Sequence, residues 1–192
     1  MVFVVAILLP ASSAISSVFP WGKSAALVIF IIASLTDLWD GRIARRRKQE
    51  TAFGALLDPV ADKILTTAAF ICFIEQKDYL GGPLVQAWMV LLIVSREFLV
   101  TGLRLVAREQ GLMLKADQHG KQKTASQMVA IILVLLGLAA REDWHSFWSD
   151  PARFNKVFSI AVFWVMLLTV VLTVLSGAAY FYKNRRLFLQ HA

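Results

Sequence analysis

Six apolar runs divide the sequence, and they constrain the fold more than any other feature. They cover about 1–19, 24–38, 63–75, 84–106, 124–140 and 157–182. Hydrophobic residues make up 58 % of the 192 residues, above the roughly 45–50 % that is usual in soluble proteins. A chain of this size has too little interior to bury so many apolar side chains away from water. We therefore expect lipid to solvate much of its surface.

The lengths of the runs indicate transmembrane helices. A spanning helix needs about 20 mostly apolar residues, and the runs at 84–106 and 157–182 reach that length alone. Those at 24–38 and 63–75 reach it only if their helices continue into the polar segment between them. Strands are not expected, because open sheet edges cannot be hydrated in lipid. The sequence predicts an all-α integral membrane bundle of six transmembrane helices, forming a single domain over 1–192.

Basic residues are concentrated in alternate polar segments. The net charge is +7, and the basic groups follow the second, fourth and sixth runs, at 42–48, 115–123 and 183–186. By the positive-inside rule, 39–62, 107–123 and the C-terminus face the cytoplasm. We expect a multi-pass protein of the cell (inner) membrane, with the bilayer and its anionic headgroups as partners. No nucleic-acid partner is expected, because the bases do not gather along one arm or helix.

Four aspartates flank the polar segment between the second and third runs. Asp37 and Asp40 are three residues apart, so they share one face of a helix. Asp58 and Asp62 are four apart and share a face of the next helix, where we expect Pro59 in the first turn. The intervening segment is short enough for the two helices to pack as antiparallel neighbours. All four carboxylates can then point into one site.

Clustered carboxylates in a membrane protein need a positive partner. An aspartate at the centre of a membrane helix costs about 2.5–3.5 kcal/mol, and four together repel one another. Hard divalent cations with oxygen ligands fit best, with Mg²⁺ as the default. Thiolate sites are excluded because Cys72 is the single cysteine. The alternative is a salt-bridge cluster in which the arginines at 42 and 45–47 pair with the acids.

Small residues accompany the aspartates. Gly41, Ala44 and Gly54 lack bulk where a Cβ or a longer side chain would obstruct a ligand. They could leave a slot for a flat, phosphate-bearing group beside the metal ions. The alternative is close helix–helix contact through small residues.

The full run is Asp37-x₂-Asp40-Gly41-x₂-Ala44-Arg45-x₈-Gly54-x₃-Asp58-x₃-Asp62. It resembles, at all eight fixed positions, the signature of the CDP-alcohol phosphotransferases. The resemblance implies a six-helix membrane fold, a homodimer, an active site on the cytoplasmic side and two bound ions, Mg²⁺ or Mn²⁺.

The resemblance also implies a role for each position of the run. Asp37, Asp40 and Asp58 would ligate metal. Asp62 would complete the metal site and act as the general base. The residues that would contact the CDP moiety of CDP-diacylglycerol are Gly41, Ala44, Arg45 and Gly54.

A second group of residues concerns the acceptor. Ser95-Arg96-Glu97, Arg104 and the run GKQKTASQ at 120–127 resemble phosphatidylglycerophosphate synthases, whose acceptor is glycerol 3-phosphate. The resemblance implies that its phosphate is held by Arg96, Arg104, Lys121 and Lys123. Arg96 and Arg104 are about 80° apart around a helix, so both can line one pocket. The alternative for Arg96 is a structural pair with Glu97 or an aspartate.

The expected reaction is attack of the acceptor hydroxyl on the β-phosphorus of CDP-diacylglycerol, giving phosphatidylglycerophosphate and CMP. The same chemistry with another alcohol, in cardiolipin-, inositol- or serine-type transfer, stays open. So does a divalent-cation transporter, since intramembrane aspartates also mark ion paths. Family members usually begin with an Asn-Pro-Asn segment, whereas this chain opens with MVFVVAILLP, so we expect a truncated first helix.

Overall fold

A computed structural model of the chain describes four stretches, residues 21–47, 52–109, 119–144 and 148–189. Every regular element in these stretches is an α-helix, and β structure there is limited to an isolated bridge between Lys77 and Pro83. The helices are α1 (Gly22–Arg47), α2 (Ala52–Glu75), α3 (Ala87–Glu109), α4 (His119–Glu142) and α5 (Pro151–Leu189). The all-α prediction is confirmed.

The helices extend beyond the apolar runs. α1 continues past its apolar residues to Arg47, and α2 begins at Ala52, so both enter the polar segment as the span length required. Because α2 begins at Ala52, Pro59 lies in its second turn, and the prediction of a first-turn proline was wrong. Pro59 removes only the hydrogen bond to the carbonyl of Ala55. Membrane helices tolerate such a loss because neighbouring groups re-satisfy the freed carbonyl.

The helices alternate in direction, so their termini gather at two ends of the bundle. Lys23 Nζ, at the start of α1, lies 3.3 Å from Gln76 Oε1, just after α2. Ser24 donates through its backbone N and its Oγ to Asp143 Oδ2, just after α4, at 2.6 Å each. We call this the capped end, formed by 21–24, 76–87, 140–144 and 148–151. The opposite end, where α1 and α3 finish and α2 and α4 begin, is the site end.

The buried core lies towards the capped end. α4 packs against α1, α2 and α5, while α3 packs against α2 and α5. The largest fully buried apolar side chains of this core are Phe30, Phe70, Phe73, Met89, Ile93, Ile131, Leu135, Leu138 and Met166. Gly137 of α4 permits close approach of α5, because a Cβ there would lie only 2.0 Å from the Phe158 ring. This packed half holds the helix register on which the site end depends.

Large apolar side chains also cover the outside of the bundle. Leu91, Trp164 and Leu168 are each 60–65 % exposed. Helices that are apolar on both their inner and outer faces are typical of a lipid environment. Within the described residues, Pro151–Asn184 is long and apolar enough to span a membrane, and Gly22–Thr36 is a shorter apolar helix segment. The count of six spans stays a prediction.

Candidate active site

The aspartates lie on two helices, as the spacing predicts. Asp37 and Asp40 belong to α1, and Asp58 and Asp62 belong to α2. Their side chains fall outside the described part of the chain, so their service as metal ligands stays a prediction. Among the described side chains, no group of three or more His, Cys, Asp or Glu residues could hold a metal ion.

Two sets of contacts fix the level of α1 and α2 along α4. Ser34 Oγ of α1 lies 3.8 Å from Met128 Sδ of α4. Lys63 Nζ of α2 lies 3.8 Å from Glu97 Oε2 of α3, and Gln127 Nε2 of α4 donates to Glu97 Oε1 at 3.2 Å. Because Gln127 and Met128 are consecutive, Ser34 and Lys63 lie at nearly the same level of the bundle.

This register places the aspartates at matching levels. The chain rises about 1.5 Å per helical residue, α1 runs towards the site end and α2 runs away from it. Relative to the common level of Ser34 and Lys63, Asp37 therefore lies about 4.5 Å and Asp62 about 1.5 Å nearer the site end. Asp40 and Asp58 lie about 9 Å and about 7.5 Å along in the same direction, so each pair falls within about 3 Å. The backbone thus allows both pairs to serve one site.

The small residues and Arg45 follow the same helices. Gly41, Ala44 and Arg45 belong to the last turns of α1, and Gly54 lies in the first turn of α2. Gly54 precedes Asp58 by four residues, so the two share a helix face. The side chains of this set lie outside the described part, and their contact with CDP stays a prediction.

Glu97 joins three helices through buried polar contacts. Besides Lys63 and Gln127, its Oε1 lies 3.6 Å from Nη1 of its neighbour Arg96. The side chains of Lys63, Arg96 and Glu97 are only 12–17 % exposed. The Arg96–Glu97 pair is the structural alternative that the sequence left open. Lys63 was not predicted, although a lysine directly after Asp62 at the start of an apolar run signals a buried charge.

Arg96 also contacts α5. Its Nη2 donates to Ser176 Oγ at 2.9 Å, and its Nε is buried with no hydrogen-bond partner among the described residues. Gly177 makes this approach possible, because a Cβ there would lie 2.9 Å from Arg96 Cγ. The guanidinium is therefore held against α5 with bonding capacity left over.

Arg104 contacts α5 nearer the site end. Its Cζ lies 5.2 Å from the ring centroid of Tyr180, within the range of a cation–π interaction. Arg96 and Arg104 thus both pack on α5, while Lys121 and Lys123 lie in the first turns of α4 with side chains outside the described part. The binding of an acceptor phosphate by these four residues stays a prediction. Sequence reasoning missed Ser176 and Tyr180, because a lone Ser or Tyr in an apolar run carries no motif.

The family model described as CDP-alcohol phosphatidyltransferase matches residues 1–177. The chain belongs to the CDP-alcohol phosphatidyltransferase family. The predicted resemblance is confirmed, and the chain is accordingly a membrane enzyme of this family. The matched residues include all four aspartates, Arg96 and Arg104, and they end before Tyr180.

Curated relatives of this CDP-alcohol phosphatidyltransferase bear the name CDP-diacylglycerol–glycerol-3-phosphate 3-phosphatidyltransferase. The Bacillus subtilis protein is 41 % identical over 165 residues, covering 86 % of this chain and 76 % of the relative. The Rickettsia bellii protein is 32 % identical over 169 residues, covering 88 % and 83 %. The Cereibacter sphaeroides protein is 41 % identical over 121 residues, covering 62 % of this chain but about half, 52 %, of the relative.

Proposed function

We propose that this chain transfers the phosphatidyl group of CDP-diacylglycerol to sn-glycerol 3-phosphate, giving phosphatidylglycerophosphate and CMP. The observation that carries the proposal is the signature run of the family, lying on two antiparallel helices with its aspartate pairs at matching levels. The names of the Bacillus subtilis and Rickettsia bellii relatives support the choice of acceptor.

A divalent-metal requirement belongs to the proposal. The donor set consists of four carboxylates on adjoining turns of two helices, which suits hard cations such as Mg²⁺ or Mn²⁺. Asp37, Asp40, Asp58 and Asp62 would hold two such ions. When bound, the ions would neutralise the pyrophosphate and stabilise the leaving CMP oxygen.

The chain's own residues would bind and orient the two substrates and deprotonate the acceptor hydroxyl. Asp62 would accept the proton of the attacking hydroxyl. Arg45 would hold the pyrophosphate by charge-assisted hydrogen bonds, and Gly41, Ala44 and Gly54 would leave room for the nucleotide. The acceptor phosphate would be bound by Arg96, Arg104, Lys121 and Lys123.

The membrane arrangement is proposed with the function. Six spans, a homodimer and an inner-membrane location agree with the family signature. The basic residues near the site end are the support for a cytoplasmic active site. They lie at the end of α1, around Arg104, at the start of α4 and at 183–186.

A transfer assay with a panel of acceptors tests the function. The full chain, in mixed micelles with CDP-diacylglycerol and Mg²⁺, would be given glycerol 3-phosphate, phosphatidylglycerol, inositol or serine in turn. We expect CMP release with glycerol 3-phosphate, abolished by a chelator and restored by Mg²⁺. Release with another alcohol and none with glycerol 3-phosphate would refute the assignment. Metal uptake into sealed liposomes without any CMP release would favour a transporter instead.

A further inference from the structure

One face of α5 carries polar side chains that packing hides from lipid and water. Thr173, Ser176, Tyr180 and Asn184 follow one another at intervals of three and four residues, so they lie along one side of the helix. Thr173 is 0 % exposed, Tyr180 2 % and Asn184 5 %. Asn184 donates to the carbonyl of Tyr180 at 2.9 Å. Hydrogen bonds are therefore accounted for at two of these four positions, Ser176 and Asn184.

The hydroxyls of Thr173 and Tyr180 are both buried and have no hydrogen-bond partner among the residues that the structure describes. Tyr180 differs from Thr173 because the Arg104 guanidinium lies over its ring. A buried donor without a partner is unfavourable, so native structures rarely retain one without a reason. An absent ligand that accepts this hydrogen bond supplies such a reason.

Two arginines flank the phenol. Arg104 lies over its ring, and the Arg96 guanidinium donates to Ser176, one helical turn before Tyr180. Arg96 Nε is a further buried donor with no partner in the described stretches, and it is the one that belongs to a charged group. No carboxylate there lies within ion-pair distance of Arg104. Two buried unpartnered donors, the Tyr180 hydroxyl and Arg96 Nε, and the guanidinium of Arg104 thus lie along one side of α5.

The charge of this cluster identifies the class of ligand. Among the described side chains of this cluster, Lys63, Arg96 and Arg104 are positive and Glu97 is negative. A phosphate monoester carries about −1.5 to −2 at neutral pH and offers three strong acceptor oxygens. A neutral polyol would bring no negative charge to the two arginines. The cluster therefore fits a phosphate group better than a hydroxyl-only alcohol.

The cluster lies at the depth of the aspartates. Arg96 adjoins Glu97, which contacts Lys63 beside Asp62. Arg104 lies two turns nearer the site end, beyond the level of Asp58 by the helical rise. A phosphate held between the two arginines would be level with the groups expected to act on the acceptor hydroxyl.

We propose that the Tyr180 hydroxyl donates a hydrogen bond to the phosphate of the acceptor alcohol, between Arg96 and Arg104, and so selects phosphate-bearing acceptors. This inference rests on the proposed function and adds a specificity-determining residue to it. The pyrophosphate of the CDP-linked lipid offers the same phosphate chemistry, so the experiment must separate the two substrates.

The test is Tyr180→Phe in the full chain, which removes the hydroxyl and keeps the ring beneath Arg104. We expect KM for glycerol 3-phosphate to rise about 10- to 100-fold, as for loss of a hydrogen bond to a charged group. KM for CDP-diacylglycerol and kcat should change less than about twofold. Thermal unfolding in micelles should show no destabilisation. Added glycerol 3-phosphate should stabilise the wild type more than the variant.

Tyr182→Phe is the matched control, because Tyr182 lies on the same helix and is 68 % exposed; it should leave both KM values unchanged. Arg104→Gln, at an exposed side chain, is the second variant and should also raise the acceptor KM. Arg153→Gln, an exposed arginine at the capped end, is its control.

The outcomes separate the two proposals. If the wild type does not use glycerol 3-phosphate, the proposed function fails. If the wild type is active and Tyr180→Phe leaves the acceptor KM unchanged, the inference about Tyr180 alone fails. A rise in KM for CDP-diacylglycerol instead would assign Tyr180 to the lipid pyrophosphate and overturn the acceptor role. A lower melting temperature with unchanged KM values would make the hydroxyl structural. If the Tyr180→Phe protein cannot be produced in folded form, Arg104→Gln provides the test. An unchanged acceptor KM in Arg104→Gln would then refute the proposed phosphate pocket.

Discussion

At the capped end, Lys23, Arg141 and Asp143 have near and complementary partners. Lys23 lies between Gln76 and Glu142, Asp143 accepts two hydrogen bonds from Ser24, and Arg141 donates to the Lys77 carbonyl at 2.7 Å. Buried side-chain atoms without partners among the described residues occur in both halves, at Asn155 and Ser159 near the capped end and at Thr173, Tyr180 and Arg96 towards the site end. The one that belongs to a charged group, Arg96 Nε, lies in the site half.

The difference between the two halves separates structure from function. Paired polar groups at helix ends connect neighbouring helices and stabilise the bundle. A buried charged group without a full set of partners does not stabilise a folded chain by itself, and it persists where a ligand completes it. Substitutions at the capped end should therefore change stability without activity, and those in the site half should change activity first.

Asp62→Asn should have the largest effect. Losing a general base lowers a rate by about 10²–10⁴-fold, while removal of one of four like charges should not lower the melting temperature. The measurement is CMP release beside thermal unfolding in micelles. Asp150→Asn is the matched control at the capped end, where Asp150 Oδ1 accepts from the backbone N of Arg153 and Asn can cap equally well. An active Asp62→Asn protein would refute the role of Asp62 as the general base.

Glu97→Gln should lower both the stability and the activity of the protein, so it tests whether the two are linked in the site half. It removes the carboxylate shared by Lys63 and Arg96, and breaking such a buried pair costs about 3–5 kcal/mol. The level of α2 relative to α3 should loosen, so kcat should fall as well. Denaturant titration and initial rates would measure the two effects. An unchanged unfolding midpoint would show that Glu97 does not hold the helices.

Gly137 and Gly177 allow a matched pair of Gly→Ala substitutions, one in each half of the bundle. Gly137→Ala places a Cβ 2.0 Å from the Phe158 ring, and such overpacking costs about 1–3 kcal/mol. Gly177→Ala meets the flexible side chain of Arg96 at 2.9 Å, so it should displace that side chain instead. We expect Gly137→Ala to lower the melting temperature with normal KM values. We expect Gly177→Ala to raise the acceptor KM with a smaller loss of stability. A raised acceptor KM in Gly137→Ala, with a larger loss of stability in Gly177→Ala, would contradict the assignment of stability to one half and activity to the other.

Ser24→Ala should have the smallest effect. It removes the Oγ hydrogen bond to Asp143 and leaves the backbone one, which costs about 0.5–1.5 kcal/mol. The transfer rate and both KM values should equal those of the wild type. A double-mutant cycle with Asp143→Ala would isolate the pair. Any change in the acceptor KM would show that the two ends are coupled.

The sequence predicted most of the helical architecture, because apolar run length and the cost of polar groups in lipid act locally along the chain. The extension of α1 to Arg47 and the helical setting of Asp58 and Asp62 followed from span length. The start of α2 was misplaced, because a proline signals a first turn but does not require one. The family followed from eight fixed positions in one run.

The arrangement around Arg96 could not be predicted in the same way. Local charge patterning allowed either a pair with Glu97 or a ligand pocket, and the structure contains the pair while leaving Nε unpartnered among described groups. Tyr180 carried no signal in the sequence, since its importance depends on the position of Arg104 on another helix.

By itself, therefore, the sequence determined an all-helical membrane chain of the CDP-alcohol phosphatidyltransferase family and the residues of its signature. Hydrophobicity, helical spacing and motif are properties of residues that lie near one another in the chain, so they can be recognised from the sequence alone. Only the tertiary structure decided which side chains on α2, α3, α4 and α5 meet around Glu97 and Tyr180. Those contacts depend on how each helix is rotated and shifted against the next. That choice is made by packing of the whole core at once.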